Sequence, residues 1–239
     1  MLEFAEVGHR FAGGDGVANL SCTVKPGEVV ALVGLNGAGK TTLMRLGLGM
    51  LRPDRGVIRI FGQPLTRMPV KRWAEVGAFV DVPLAYPELT VAENLHIASL
   101  LHHGTSDQPE QAMAAWNLTA LSRTRFRRLS LGNRQRVGLA AAMQRDPRLI
   151  VLDEPTNSLD PASVILLREQ ILQRAQSGAA VLVSSHHLDE VTRIADRVLL
   201  MNAGRLIGEL DTSASDLERV FFERIRVDDE ERKLTEEAL

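Results

Sequence analysis

The residues best suited to chemistry crowd into one stretch, "GLNGAGKTT", at residues 34–42. Gly34, Gly39, Lys40 and Thr41 have the spacing of a phosphate-binding loop, and an apolar run, "VVALV" (29–33), leads into them. Glycines let the backbone curl until successive N–H groups converge on phosphate oxygens. Asn36, Gly37, Ala38 and Thr42 complete the cradle, and the helix that opens there adds partial positive charge. Lys40 can neutralise the β- and γ-phosphates of a bound nucleotide while the Thr41 hydroxyl ligates magnesium.

Such a cradle serves kinases, GTPases and ATPases alike. "LIVLDEPTNSLD" (149–160) narrows the choice. Asp153 ends an apolar strand, where α/β sheets bind their ligands, and can hold magnesium through water. Glu154, the next carboxylate toward the γ-phosphate, is the candidate to polarise an attacking water. Ser130 and Gly132 precede the helical pattern "RQRVGLAAAM", so Ser130 and the free amides there form a second anion site. A plain helix cap is the other use of Ser130, and one hydroxyl can serve both.

The elements that must carry these groups follow from hydrophobic periodicity. "VVALV", "LIVLD" and "AVLVSS" (180–185) are apolar throughout, as strands buried on both faces of a parallel sheet should be, and a helical pattern follows each. The alternating runs "LEFAEV" (2–7), "LSCTV" (20–24) and "GVIRIF" (56–61) predict half-buried antiparallel strands. Between the two groups the pattern is helical, at about 91–102, 108–117 and 131–145, with Thr90 and Glu93 forming a capping box. Asp160-Pro161 caps a helix reaching about residue 176. Leu217, Val220, Phe221 and Ile225 share one helical face that should pack on the body, and "DDEERKLTEEAL" reads as a charged, solvated tail. The fold class is α/β, with a mixed to parallel sheet, an N-terminal antiparallel β subdomain and an inserted helical subdomain. The expected domain is 1–226, with core at 1–83 and 146–226, helical insertion at 84–145, and a tail at 227–239.

Composition excludes several functions. A chain of 239 residues with net charge -2 gives no global reason to bind nucleic acid. Cys22 stands alone, so neither an internal disulfide nor a cysteine zinc site is available. No apolar run approaches the ~18 residues of a membrane span, and "MLEFAEVGHR" does not read as a secretory signal. The expected location is cytosolic.

"LSLGNRQRVGLA" (129–140), "LDEPTNSLD" (152–160) and "SSHHLDE" (184–190), in that order after the phosphate loop, resemble the ATP-binding subunits of ABC transporters across residues 2 to 211. The resemblance implies a P-loop NTPase core, ATP with Mg2+, and a head-to-tail homodimer or heterodimer. In it, Ser130, Gly132 and Asn133 of one chain cover the γ-phosphate held by the other, and Asp160 crosses toward the facing site. It places His186 as the switch histidine, with His187 turned away, and Phe11 on adenine. Asp81 falls where the family has a glutamine that contacts magnesium and water. Leu131 and Asn133 depart from the usual glycine and glutamine. Membrane permease subunits should dock near Leu84, Tyr86 and Leu89, which puts the chain on the cytoplasmic face of the membrane as a peripheral subunit. The signature variant and "YPELTVAENL" resemble the drug, lipid and peptide exporters. An importer ATPase, a soluble ABC-type ATPase, a P-loop kinase and a non-hydrolysing partner subunit are the competing readings.

Overall fold

Alternate residues of Val29–Val33 face two different cores, which explains why all five are apolar. In the computed structural model, which describes residues 1–83, 85–101, 104–212 and 216–237, all five are buried. Val29, Ala31 and Val33 join one hydrophobic cluster, Val30 and Leu32 the other. The chain runs β1 (Leu2–Arg10), β2 (Gly16–Val24), β3 (Val29–Val33), α1 (Lys40–Gly47), β4 (Arg55–Ile60), β5 (Gln63–Pro64) and β6 (Val76–Phe79). It continues through α2 (Val91–Leu101), α3 (Gln108–Ala115), α4 (Leu131–Met143), β7 (Leu149–Leu152), α5 (Pro161–Gln176) and β8 (Ala180–Ser185). The last elements are α6 (Leu188–Val191), β9 (Arg197–Asn202), β10 (Arg205–Leu210) and α7 (Leu217–Glu237).

Two sheets form. One is antiparallel, in the order β2-β1-β4-β5. The other has the order β10-β9-β3-β8-β7-β6, parallel except for the β9–β10 hairpin. Its one face covers the core shared with α1 and the antiparallel sheet. Its other face meets the core filled from α2 to α5 and α7. Because β3, β8 and β7 are parallel neighbours, the three segments that follow them emerge at one edge. That edge is where an α/β sheet binds ligands.

The helical insertion appears where the 3.6-residue pattern required it. Its capping box is reciprocal: Thr90 N–H donates to Glu93 Oε2 at 2.7 Å and Glu93 N–H to Thr90 Oγ1 at 3.3 Å. Asp160 caps α5 by accepting from Ser163 N–H at 2.7 Å. Strand β6 and the β9–β10 hairpin carry no sequence-based expectation, and only a four-residue helix follows β8. The largest correction concerns the expected tail. The charged stretch from residue 228 continues α7 to Glu237, and its first two carboxylates bond the β9–β10 turn instead of facing solvent alone. Phe221 and Ile225 are buried, as the shared face required.

Helix α4 lies so close to β6 that a Cβ on Gly77 would sit 2.2 Å from the Ala142 carbonyl oxygen and 2.8 Å from Pro147 Cγ. Neither neighbour is a flexible side-chain end. Gly77→Ala is expected to lower the free energy of unfolding by about 1–3 kcal/mol, read from urea denaturation. An unchanged midpoint would contradict this contact.

Candidate functional site

The loop after β3 adopts a conformation that its glycines make possible. Gly37 has φ 83° and Gly39, the residue before α1, has φ 101°, both in the left-handed region. No side chain caps α1, so its first-turn amides are free for an anion. Lys40 is buried and bends back over the loop, donating to Gly34 O at 2.7 Å and Leu35 O at 3.3 Å. Its Nζ also lies 3.4 Å from Glu154 Oε1. Asn36 and Gly37 are exposed at the mouth, Ala38 is buried behind it, and Thr42 is half-buried in the first turn of α1.

A chain of short hydrogen bonds ties this loop to the segments after β7 and β8. Thr41 Oγ1 donates to Asp153 Oδ2 at 2.6 Å, and Ser184 Oγ donates to Asp153 Oδ1 at 2.6 Å. The same Ser184 oxygen accepts from Glu154 N–H at 2.8 Å. Glu154 has φ 46°, unusual for a residue with a Cβ, so its side chain turns back toward the loop. Its second oxygen lies 2.7 Å from His186 Nδ1 and accepts from His186 N–H at 3.3 Å. Glu154 is therefore gripped at one oxygen by Lys40 and at the other by His186. His187 is exposed; its backbone amide donates to Ser185 Oγ at 2.9 Å, its carbonyl accepts from Glu190 N–H at 3.3 Å, and its ring lies 3.9 Å from that of His186. Ser184 had no place among the expected site residues. Its one signal was a hydroxyl at a fully buried position in an apolar strand.

The remaining candidates form a second group and outliers. Ser130 caps α4, accepting from Asn133 N–H at 3.3 Å. Gly132 abuts the turn before Asp160: a Cβ there would lie 2.7 Å from Ser158 O. The Ser163 backbone amide holds the Asp160 carboxyl below the usual carboxylate range. Among the described residues no hydrogen bond joins Ser130, Gly132, Asn133 or Asp160 to the phosphate loop of the same chain. Phe11 is 39% exposed and meets the His9 ring edge-on at 4.7 Å. Asp81, expected at the metal, is instead clasped by Arg45, one helical turn after Thr41. Arg45 Nε reaches Asp81 Oδ2 at 3.1 Å and its terminal nitrogen reaches Oδ1 at 2.5 Å. A guanidinium matches a carboxylate fork, which is why the short aspartate turns to it.

Oxygen donors of the kind a hard cation takes are in place at Thr41 and Asp153. No cluster of three or more His, Cys, Asp or Glu side chains suited to a metal occurs among the described residues. Magnesium takes few protein oxygens and keeps several waters, so a hydroxyl and a carboxylate such as Thr41 and Asp153 suit it. Beside the site, an apolar groove of 440 Å3 runs between β6, α2 and α4, lined by Met50, Trp73, Val80, Val82, Leu101 and Arg145 among others. Of the expected docking residues, Tyr86 is exposed and Leu89 half-buried, neither in the groove lining, and Leu84 lies outside the described residues. A larger cavity of 810 Å3 opens between the two sheets, beside the paired charges Glu3–Arg59 and Arg197–Glu209, away from every candidate residue.

The family described as ABC transporter matches residues 17–157. The SkfA peptide export ATP-binding protein SkfE of Bacillus subtilis (strain 168) is 36% identical over 214 residues, covering 88% of this chain and 89% of SkfE. The bacitracin transport ATP-binding protein BcrA of Enterococcus faecalis is 36% identical over 199 residues, 82% of this chain. The chain spans only 65% of BcrA's length, and 68% and 65% of two further relatives from Bacillus subtilis (strain 168). A solved ATP-binding subunit of an ABC transporter superimposes with a TM-score of 0.82 at 27% identity, covering 98% of this chain and 99% of that one. With a phosphate loop, a paired aspartate and glutamate and a histidine at one sheet edge, the chain belongs to the ABC transporter family, as one of its ATP-binding ATPase domains.

Proposed function

We propose that this chain hydrolyses ATP to drive export of a drug, lipid or peptide through separate membrane permease subunits, from the cytoplasmic face of the membrane. The grip on Glu154, 3.4 Å from Lys40 and 2.7 Å from His186, carries the hydrolytic part of this reading. The name of SkfE, a peptide export ATP-binding protein, favours export. No helix among the described residues is long and apolar enough to cross a membrane.

The amides of residues 37–42 and the Lys40 ammonium bind the nucleotide's phosphates, for which Lys40 exchanges its loop carbonyls. Thr41 and Asp153 would hold magnesium, which when bound would neutralise charge on the nucleotide's phosphates. Glu154 accepts the proton of the attacking water, and His186 keeps the carboxylate aimed. Ser184 positions both Asp153 and Glu154. Phe11 lies against the adenine. Ser130, Gly132, Asn133 and Asp160 complete the site of a second copy or a related subunit. Exposed Leu35 (43%) and Leu131 (63%), at the mouth of the phosphate loop and the tip of α4, support a face that a partner covers. The permease docks in the groove at Val80 and Val82, whose intervening residue, Asp81, is tied by Arg45 to the helix that follows the phosphate loop.

Glu154→Gln should bind ATP normally, lose ATPase activity by about 100-fold or more, and elute as a dimer with Mg·ATP. Wild-type turnover would remove Glu154 from the mechanism. Ser184→Ala should cost about 10–100-fold in turnover with a much smaller change in nucleotide affinity. Equal losses in both would make Ser184 a binding group. For Asp81→Asn, the magnesium concentration giving half-maximal turnover should stay within about twofold, since that carboxylate is committed to Arg45. A large shift would return Asp81 to the metal.

A further inference from the structure

The turn between β9 and β10 is held from two sides. On one side it backs the nucleotide site. Gly204 N–H donates to Ala38 O at 2.9 Å, inside the phosphate loop, and Gly204 O accepts from Ala18 N–H at 2.8 Å. No slack exists there: a Cβ on Gly204 would sit 2.2 Å from Gly16 O, and one on Gly34 would sit 2.3 Å from Met201 O. One residue thus touches both the cradle and the end of the β1–β2 turn that carries Phe11.

On the other side stands α7. The Asn202 amide, 7% exposed, donates to Asp228 Oδ2 at 2.9 Å and to Asp229 Oδ1 at 2.8 Å. Arg205 donates to Asp228 Oδ1 at 2.8 Å, and Arg232 closes on Asp229 at 2.9 Å. Both protons of a buried amide therefore find their acceptors on α7. Without them the donor is left unsatisfied, and the turn relaxes by carrying it toward water. Because the turn is bonded to Ala38, that movement reaches the cradle. The neighbouring pairs of Arg226 with Glu223 and Glu230, on the same helix, are exposed and make no such link.

We propose that α7 is a brace for the nucleotide site: Asp228 and Asp229, through Asn202 and Arg205, press the β9–β10 turn against the phosphate loop and so set nucleotide affinity. The proposal rests on the ATP-binding reading above. These four are positioning residues, since none touches the nucleotide.

The test uses the full chain and a fluorescent ADP analogue, titrated well below the thermal midpoint of every variant. Asp228→Ala with Asp229→Ala should weaken binding by at least about tenfold. Asp228→Asn with Asp229→Asn, which keeps acceptors for Asn202, should recover most of it. Arg226→Ala, on the exposed face, should bind like wild type. If the double alanine variant does not fold, Arg205→Gln removes one arm and should weaken binding by about threefold. A lowered thermal midpoint with an unchanged dissociation constant would reduce α7 to a stabilising element and overturn the brace, as would equal weakening by Arg226→Ala. Failure of the wild-type chain itself to bind the analogue would overturn the ATP-binding reading, and the brace with it.

Discussion

Parallel pairing of β3 with β8 and β8 with β7, all three buried on both faces, is the constraint on which the site depends. Polar groups have no place along these strands, so they gather where the strands end. The register then decides which face each one serves. Leu182 packs into the core shared with α1, and Ser184, two residues on, points the same way; Val151 and Asp153 follow the same parity on β7. Thr41, Asp153 and Ser184 therefore meet on the α1 side of the sheet. A one-residue slip of β8 that brought Val183 to the place of Ser184 would remove the hydroxyl and break the link.

The cluster so formed is charged and largely shielded, which makes every partner matter. A buried ammonium is costly unless it is paired, and Lys40 is satisfied by two loop carbonyls and by Glu154. Asp153 has both oxygens engaged by hydroxyls, which keeps its charge tolerable near the core. Glu154 and Asp81 both sit at left-handed φ values, 46° and 68°, and each has its carboxylate clasped by cations or hydrogen-bond donors. Local strain is held in place by surrounding charge at the two corners that flank the nucleotide edge.

The same sheet edge connects the site to two distant regions. Val80 and Val82 put the Asp81 corner on the wall of the apolar groove, so the helix after the phosphate loop and the groove share one ion pair. Across the sheet, the β9–β10 turn joins the phosphate loop to α7. One contact leads toward the helical insertion and the other toward the C-terminal helix. The second passes through Gly204 and Asn202, which belong to no motif.

The phosphate loop, the pair Asp153–Glu154 and the capping residues Thr90 and Asp160 were legible from the chain itself, because their meaning lies in contiguous spacing, whereas His186 came only with the family resemblance. Local backbone chemistry dictates a glycine curl, a helix cap or an acidic strand end, whatever the rest of the molecule does. The all-apolar runs likewise set which strands are buried on both faces. Ser184, the clasp of Arg45 on Asp81, strand β6 with its glycine and alanine, and the docking of Asp228 and Asp229 on Asn202 were not legible. Each depends on a partner far away in sequence: 31 residues separate Ser184 from Asp153, 36 separate Arg45 from Asp81, and 26 separate Asn202 from Asp228. A charged run carries no sign of whether it faces water or an amide until folding brings that amide to it. Chain order alone determined the phosphate-binding chemistry, while packing across the sheet decided which side chains aim it and which helix holds it.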